Sequence, residues 1–377
     1  MSRFARPRVA ASLVLAAFVL PLRPVIAAAP PQAAGIIGGT PAPAGAYPFM
    51  VSLQALNAGD AHFCGGSLVD REWVLTAAHC VHAPAPAEFR VVVGASRLSA
   101  GDGEVRRPVE IRVHPDYDGD ATHGADIALV RLSAPVDDIV PIEPVRPAER
   151  AEWQAGDPAT VIGWGVTSET AKAPSDELRS VRVAIRADSE MADPGAYGGA
   201  FLASDMVGAG RTGGGADGCF GDSGGPLVVG RSPNLRQVGI VSFGAGCGRP
   251  GYPGVFSRLG EGRVRAFADS LIPLRVAPVR VREGETARFT LTLARPSTLP
   301  VSVRWATVGE TATPGADFTS GRGVARIAPG ETVGTVDVPV TADTAAEHDE
   351  TFRLRLDDPV NAWPGADSAV ATIVDRT

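Results

Sequence analysis

Apolar residues in this chain come in short blocks rather than long ones. Val, Ile, Leu and Phe gather at residues 49–56, 89–93, 109–113 and 127–132. They gather again at 159–162, 181–185, 226–229, 238–243 and 254–258. Gly, Pro, Asp and Ser interrupt the blocks, which is the pattern of strands joined by turns. One stretch breaks the rule: Val264, Phe267 and Leu271 recur at three- and four-residue steps, which predicts a helix over 260–272. Residues 273–278 read as a linker. Beyond them Thr, Val and acidic residues alternate, and strands are expected at 281–285, 288–293, 301–305, 324–327, 333–340, 352–356 and 369–374. Such alternation predicts a β-sandwich. The chain therefore reads as all-β, and its 377 residues exceed one typical domain.

The first residues follow a different pattern. Arg3, Arg6 and Arg8 precede an apolar run over 9–20, and Ala27-Ala28-Ala29 offers a cleavage site. This predicts a secretory signal peptide over 1–28; the run is too short to span a bilayer, and Pro21 and Arg23 follow it. No other segment is apolar enough to cross, so no membrane span is expected after signal cleavage. Secretion, extracellular or periplasmic, implies an oxidising compartment. Four cysteines fit that compartment, and by themselves they allow three pairings. None forms a C-x-x-C pair, which argues against metal ligation. The net charge of −7 argues against nucleic acid as a partner.

The chemistry concentrates in three places. Gly221-Asp222-Ser223-Gly224-Gly225-Pro226 surrounds a serine with glycines, Thr76-Ala77-Ala78-His79-Cys80 sets a histidine beside a cysteine, and Asp126 heads the apolar run 127–130. Each context alone is commonly structural. A serine hydroxyl, however, is a poor nucleophile without a base and an oxyanion site, and here all three contexts occur in the order His79, Asp126, Ser223.

At these residues the chain resembles the chymotrypsin-like serine proteases, of the trypsin type, over 36–272. The resemblance implies two six-stranded antiparallel β-barrels with the site in the cleft between them. It implies His79 as general base, Asp126 as its orienting partner, Ser223 as nucleophile, and the N–H groups of Gly221 and Ser223 as oxyanion hole. It selects the disulfides Cys64–Cys80 and Cys219–Cys247, each worth about 3 kcal/mol. Asp217 falls at the floor of the S1 pocket, with Ser242, Gly244 and Gly254 on its walls and glycines at the neck. That implies protein or peptide substrates with Arg or Lys at P1. No cofactor is implied for catalysis. Ile36-Ile37-Gly38-Gly39 resembles the N-terminus freed on zymogen activation, with Ile36 pairing to Asp222 and 29–35 as a short propeptide. Gly35 stands where trypsin-like precursors have a basic residue, which implies cleavage by a different protease. Gly208 replaces a cysteine, which implies a looser loop there. The histidines outside the motif, His62 and His114 among them, are expected at the surface.

Residues 311–318, 328–332 and 349–352 resemble the Calx-β domain, which assigns 279–377 to such a sandwich. Some members bind Ca²⁺, and the candidate ligands are Glu283, Asp317, Asp343, Asp349, Glu350 and Asp375. Because the terminal acidic run is short, a solvated acidic rim without a tight metal is the favoured expectation. A surface or matrix ligand is the expected partner of this region. The alternative for the whole chain is a protease-shaped binding or adhesion protein with little activity.

Overall fold

The computed structural model describes residue 1 and residues 36–82, 88–344 and 347–374. The expected signal peptide and propeptide lie outside the described residues, as does Asp375. Apart from one eight-residue helix, every described element longer than six residues is a strand, in agreement with the all-β reading.

Two sheets build the first 260 or so residues. In the first, the strands run in the order Glu104–Arg106, Phe89–Val93, Met50–Ala55, Ala61–Asp70, Trp73–Thr76, Ala128–Leu132 and Pro108–Val113. Its two edge strands are separated by Arg107 alone. A bent chain, rather than a hydrogen-bonded ladder, therefore spans the gap, and the sheet is a half-barrel instead of the expected closed one. The second sheet does close. Arg179–Ile185 pairs with Pro158–Gly163 and, on its other side, with Met206–Gly210, completing a ring of six through Pro226–Val229, Arg236–Phe243 and Gly254–Arg258. Each sheet buries an apolar core, with Trp73, Leu75, Val91 and Leu129 in the first and Val161, Val207, Leu227 and Val238 in the second.

The predicted helix is shorter than expected, Gly262–Asp269. Asp269 ends it, fully buried, accepting from Arg265 Nε at 2.8 Å and from Thr298 N and Oγ1 at 3.1 and 2.8 Å. Residues 273–276 are not a linker. They form a strand, Pro273–Val276, that pairs with Thr286–Leu293 and with Trp363–Pro364. Two sheets of four and five strands then enclose a core of Phe289, Phe318, Phe352 and Leu354. Phe318 stacks on Phe352 with ring centroids 4.3 Å apart.

Candidate active site

His79 sits on a one-turn helix, Ala78–Val81, held to the neighbouring strand by the Cys64–Cys80 disulfide. Its Nδ1 lies 2.8 Å from Asp126 Oδ2, and its backbone N–H donates to Asp126 Oδ1 at 2.9 Å. Asp126 is 1% exposed. Ser242 Oγ donates to Asp126 Oδ2 at 2.5 Å, and Ser257 Oγ donates to its backbone oxygen at 2.7 Å. Burial alone would raise the Asp126 pKa, but the bonds from His79 and Ser242 outweigh it and hold the group below the ordinary carboxylate value. Burial alone would likewise lower His79, and the hydrogen bond and charge of Asp126 turn the shift upward. This pairing assigns the proton of neutral His79 to Nδ1 and leaves Nε2 as the basic nitrogen.

The residue before Asp126 is strained. Ala125 has φ +55°, unusual for a side chain with a Cβ. Asp205, itself 2% exposed, fixes it by accepting from Ala125 N at 3.1 Å and from Arg263 Nε at 2.7 Å. Asp205 and Arg263 are positioning residues that sequence reasoning missed, because nothing local links residue 205 to residue 125.

Ser223 follows a turn that only glycine adopts easily, Gly221 at φ +94°. Asp222 N donates to Cys219 O, and Gly65 N donates to Ser223 O at 2.7 Å, tying the loop to the half-barrel. Among the described residues, the N–H groups of Gly221 and Ser223 have no hydrogen-bond acceptor. Two unpaired, neighbouring donors beside a serine form a ready anion site.

Ser223 lines a cavity of 240 Å³ shared with Asp217, Ser242, Gly244, Gly254 and Phe220. The four expected S1 residues all meet there. Asp217 is 3% exposed and accepts from Gly248 N at 3.0 Å. Burial pushes its carboxyl up to about 7, and among the described residues no cation pairs with it. Gly254, expected at the neck, lies deeper: a Cβ there would collide with Asp217 Oδ1. Ser242 serves two purposes, as cavity lining and as donor to Asp126. Two further contributors escaped the sequence. Tyr197 braces the wall, its hydroxyl donating to Pro253 O at 2.7 Å and accepting from Ala245 N at 3.2 Å, with Phe243 packed edge-on at 5.8 Å. Phe220 lies at the mouth, 66% exposed. Cys219–Cys247 closes the loop as expected.

Gly208, expected to loosen its loop, makes room instead. A Cβ on it would strike Met191, which is fully buried with Phe201, Met206 and Val255. A thioether fills the gap left by the missing cysteine. His62 and His114 are not at the surface, being 8% and 6% exposed. His62 bridges Ser52 Oγ and Gly221 O, both at 2.8 Å, and burial drops its pKa to about 4. His114 packs on Phe267.

Ile36 is fully buried in the closed barrel's core, and its oxygen accepts from Gly39 N. Asp222, also fully buried, accepts from Gly165 N at 2.8 Å and Cys219 N at 2.9 Å, and among the described residues it meets no cation. Burial pushes it up to about 7. A Cβ on Gly163 or Gly165 would strike its carboxylate, so the cradle is made by the absence of side chains.

In the sandwich the acidic candidates divide. Carboxylate oxygens of Asp317, Asp343 and Glu347 lie within 4.8 Å of one another, and sequence reasoning missed Glu347. Glu350 joins them: burial, then the hydrogen bond and charge of Asp317, push it up to about 7. Glu283 is 6% exposed, and its Oε2 has no partner. Asp349 does not join. Its carboxylate is taken by Arg280 at 2.8 Å.

Fold and site define a serine protease built on paired β-barrel halves, followed by a sandwich. A family model described as Trypsin matches residues 36–262, and one described as Calx-beta domain matches 269–377. The trypsin of Saccharopolyspora erythraea is 40% identical over 225 residues, covering 60% of this chain and 93% of that protein. Trypsin-1 of Astacus astacus is 35% identical over 230 residues, covering 59% and 95%. The chain belongs to the trypsin family of serine proteases and carries a Calx-beta domain behind the protease.

Proposed function

We propose that the protein is a secreted endopeptidase that cleaves after Arg or Lys through a Ser223 acyl-enzyme. The observation that carries the P1 preference is Asp217, an acid buried in the lining of a cavity that Ser223 also lines. A guanidinium entering that cavity would meet a carboxylate whose raised pKa reports the lack of a cation. His79 Nε2 takes the Ser223 proton as the hydroxyl attacks the scissile carbonyl. Asp126 holds the tautomer and stabilises the imidazolium that forms. The unpaired N–H groups of Gly221 and Ser223 receive the oxyanion, where one such donor is worth about 3 kcal/mol. His79 then protonates the leaving amine, and water repeats the sequence to release the acid. Ser223→Ala in the full chain tests the reading. Turnover of a P1-Arg peptide should fall by about 10⁶-fold with stability unchanged, and persistent turnover in a pure sample would refute it.

Activation follows from Asp222. An ammonium freed at Ile36 is the natural partner for a buried carboxylate with no cation beside it. The pair would order Gly221 and Ser223 on either side. Secretion rests on the N-terminal sequence pattern and accords with two disulfides. No described helix is long and apolar enough to cross a membrane.

For the sandwich, the partnerless Glu283 oxygen and the crowding at Glu350 favour Ca²⁺ over a bare solvated rim. Asp317, Asp343, Glu347, Glu350 and Glu283 would supply the hard oxygen ligands, and the ion would neutralise their repulsion. Catalysis itself calls for no cofactor.

A further inference from the structure

The outer face of the five-stranded sheet carries a hollow that proteolysis does not use. Strand alternation sends Val301, Val303, Leu354 and Leu356 into the sandwich core and turns Arg304, Ala306, Arg322 and Arg355 outward. Register sets Ala306 opposite Arg322 on one neighbouring strand and opposite Arg355 on the other. Strands stand about 4.8 Å apart, so the two arginines rise about 10 Å apart across the short side chain of Ala306. They flank a cavity of 560 Å³ that also takes in Gly323, Val324, Asp357 and Asp358.

The charge of this face is unlike that of the chain. The protein carries −7 overall, yet this face is dominated by arginine. Arg355 pairs with Asp357 at 3.0 Å and Arg304 with Asp358 at 3.3 Å. Arg322 and Arg326, four positions apart on the same face of one strand, have no ion-pair partner among the described residues. Exposed Val324 lies between Arg322 and Arg326 on their strand.

We propose that this face binds an acidic polysaccharide, a polymer of pyranose rings bearing carboxylates. A free guanidinium fork at Arg322, with Arg355 opposite, matches a sugar carboxylate. Asp357 and Asp358 accept from ring hydroxyls, and Ala306 and Val324 meet the C–H face of the ring. The same hollow disfavours nucleic acid. Its two carboxylates repel duplex DNA, which carries about one charge per 1.7 Å, more than a polymer with one carboxylate per ring. Trp305 also lines the hollow, with its indole against the positions of Gly321 and Gly323 and packed on the sandwich core. A repeating polymer offers many equivalent sites to one hollow, so a protease released from one ring rebinds nearby and stays close to the polymer while it cleaves.

Affinity electrophoresis of the full chain through gels containing polygalacturonate, dextran or duplex DNA tests this. Polygalacturonate should retard the protein and dextran should not. Raising salt from about 50 to 300 mM should weaken the retardation. Arg322→Ala with Arg355→Ala should raise the apparent Kd at least about tenfold. Hydrolysis of a small P1-Arg ester should be unchanged. Arg71→Ala with Arg231→Ala removes the same charge from the protease surface and should leave binding intact. The proposal is overturned if the sandwich double variant is retarded like the parent, if the control pair weakens binding equally, or if DNA or dextran binds as tightly as polygalacturonate.

Discussion

Trp363 of the sandwich packs edge-on against Trp73 of the first barrel half, with ring centroids 5.1 Å apart and planes at 75°. The Arg112 guanidinium lies 4.4 Å from the Trp363 ring centre, and Arg131 lies 5.4 Å from it. The backbone continues the join, since Trp363 N donates to Ile272 O at 2.8 Å, and Thr298 caps the buried Asp269. The sandwich is thus fastened to the protease through an aromatic contact, cation–π contacts and a strand that begins where a linker was expected.

Trp363→Ala should lower stability by about 2 kcal/mol, since it removes an aromatic pair and leaves part of Trp73 uncovered. Urea unfolding of the processed enzyme reads the change. Cleavage of a small substrate under native conditions should be retained, because no residue lining the catalytic cavity is touched. A midpoint equal to that of the parent would show that the contact carries no stability.

Asp217→Ser should reduce kcat/KM on P1-Arg and P1-Lys peptides by about 10²–10³-fold, the cost of several kcal/mol for a desolvated, unpaired cation. The effect on P1-Phe should be small or favourable. Equal fractional losses on the three peptides would remove Asp217 from the specificity site.

The precursor should lose stability as pH rises through the acid range. Asp222 titrates at about 7 in the uncleaved fold, against an ordinary 3.8. Between those values the folded state holds a proton that the unfolded chain has released, so stability falls with increasing pH across that window and levels off above it. Asp217, also pushed to about 7, adds to the slope in both forms. Release of Ile36 gives Asp222 an ammonium partner, so the processed form should show a shallower fall. Urea unfolding of Ser223→Ala precursor and of processed enzyme at pH 5 and pH 8 checks this. Parallel curves would mean that Ile36 does not reach Asp222.

Calcium should raise the unfolding temperature of the full chain, and chelation should lower it. Asp317→Asn with Glu350→Gln should abolish the response while leaving ester hydrolysis intact. The protonated fraction of Glu350 competes with the ion, so the calcium effect should be weaker at pH 6 than at pH 8. A melting curve indifferent to both calcium and chelator would leave the acidic cluster as a solvated rim.

Sequence alone determined a good deal here. Strand blocks, the shift to alternation after residue 272, and three local contexts in fixed order are all local patterns, and backbone periodicity and turn chemistry write them directly into the chain. What brings distant groups to one point was decided only by tertiary structure. Asp205 supports Ala125 across 80 positions, and Ser242 reaches Asp126 across 116. Met191 fills the space at Gly208, His62 is drawn inside to bridge Ser52 and Gly221, and Glu347 enters the acidic cluster while Asp349 leaves it for Arg280. The first barrel half stays open for the same kind of reason: closure depends on register between strands far apart in the chain, and no single segment encodes it. Burial then sets the chemistry. Asp217, Asp222 and Asp126 are one residue type in sequence. Backbone amides alone leave the first two raised, whereas the imidazole of His79 and the hydroxyl of Ser242 hold the third ionised.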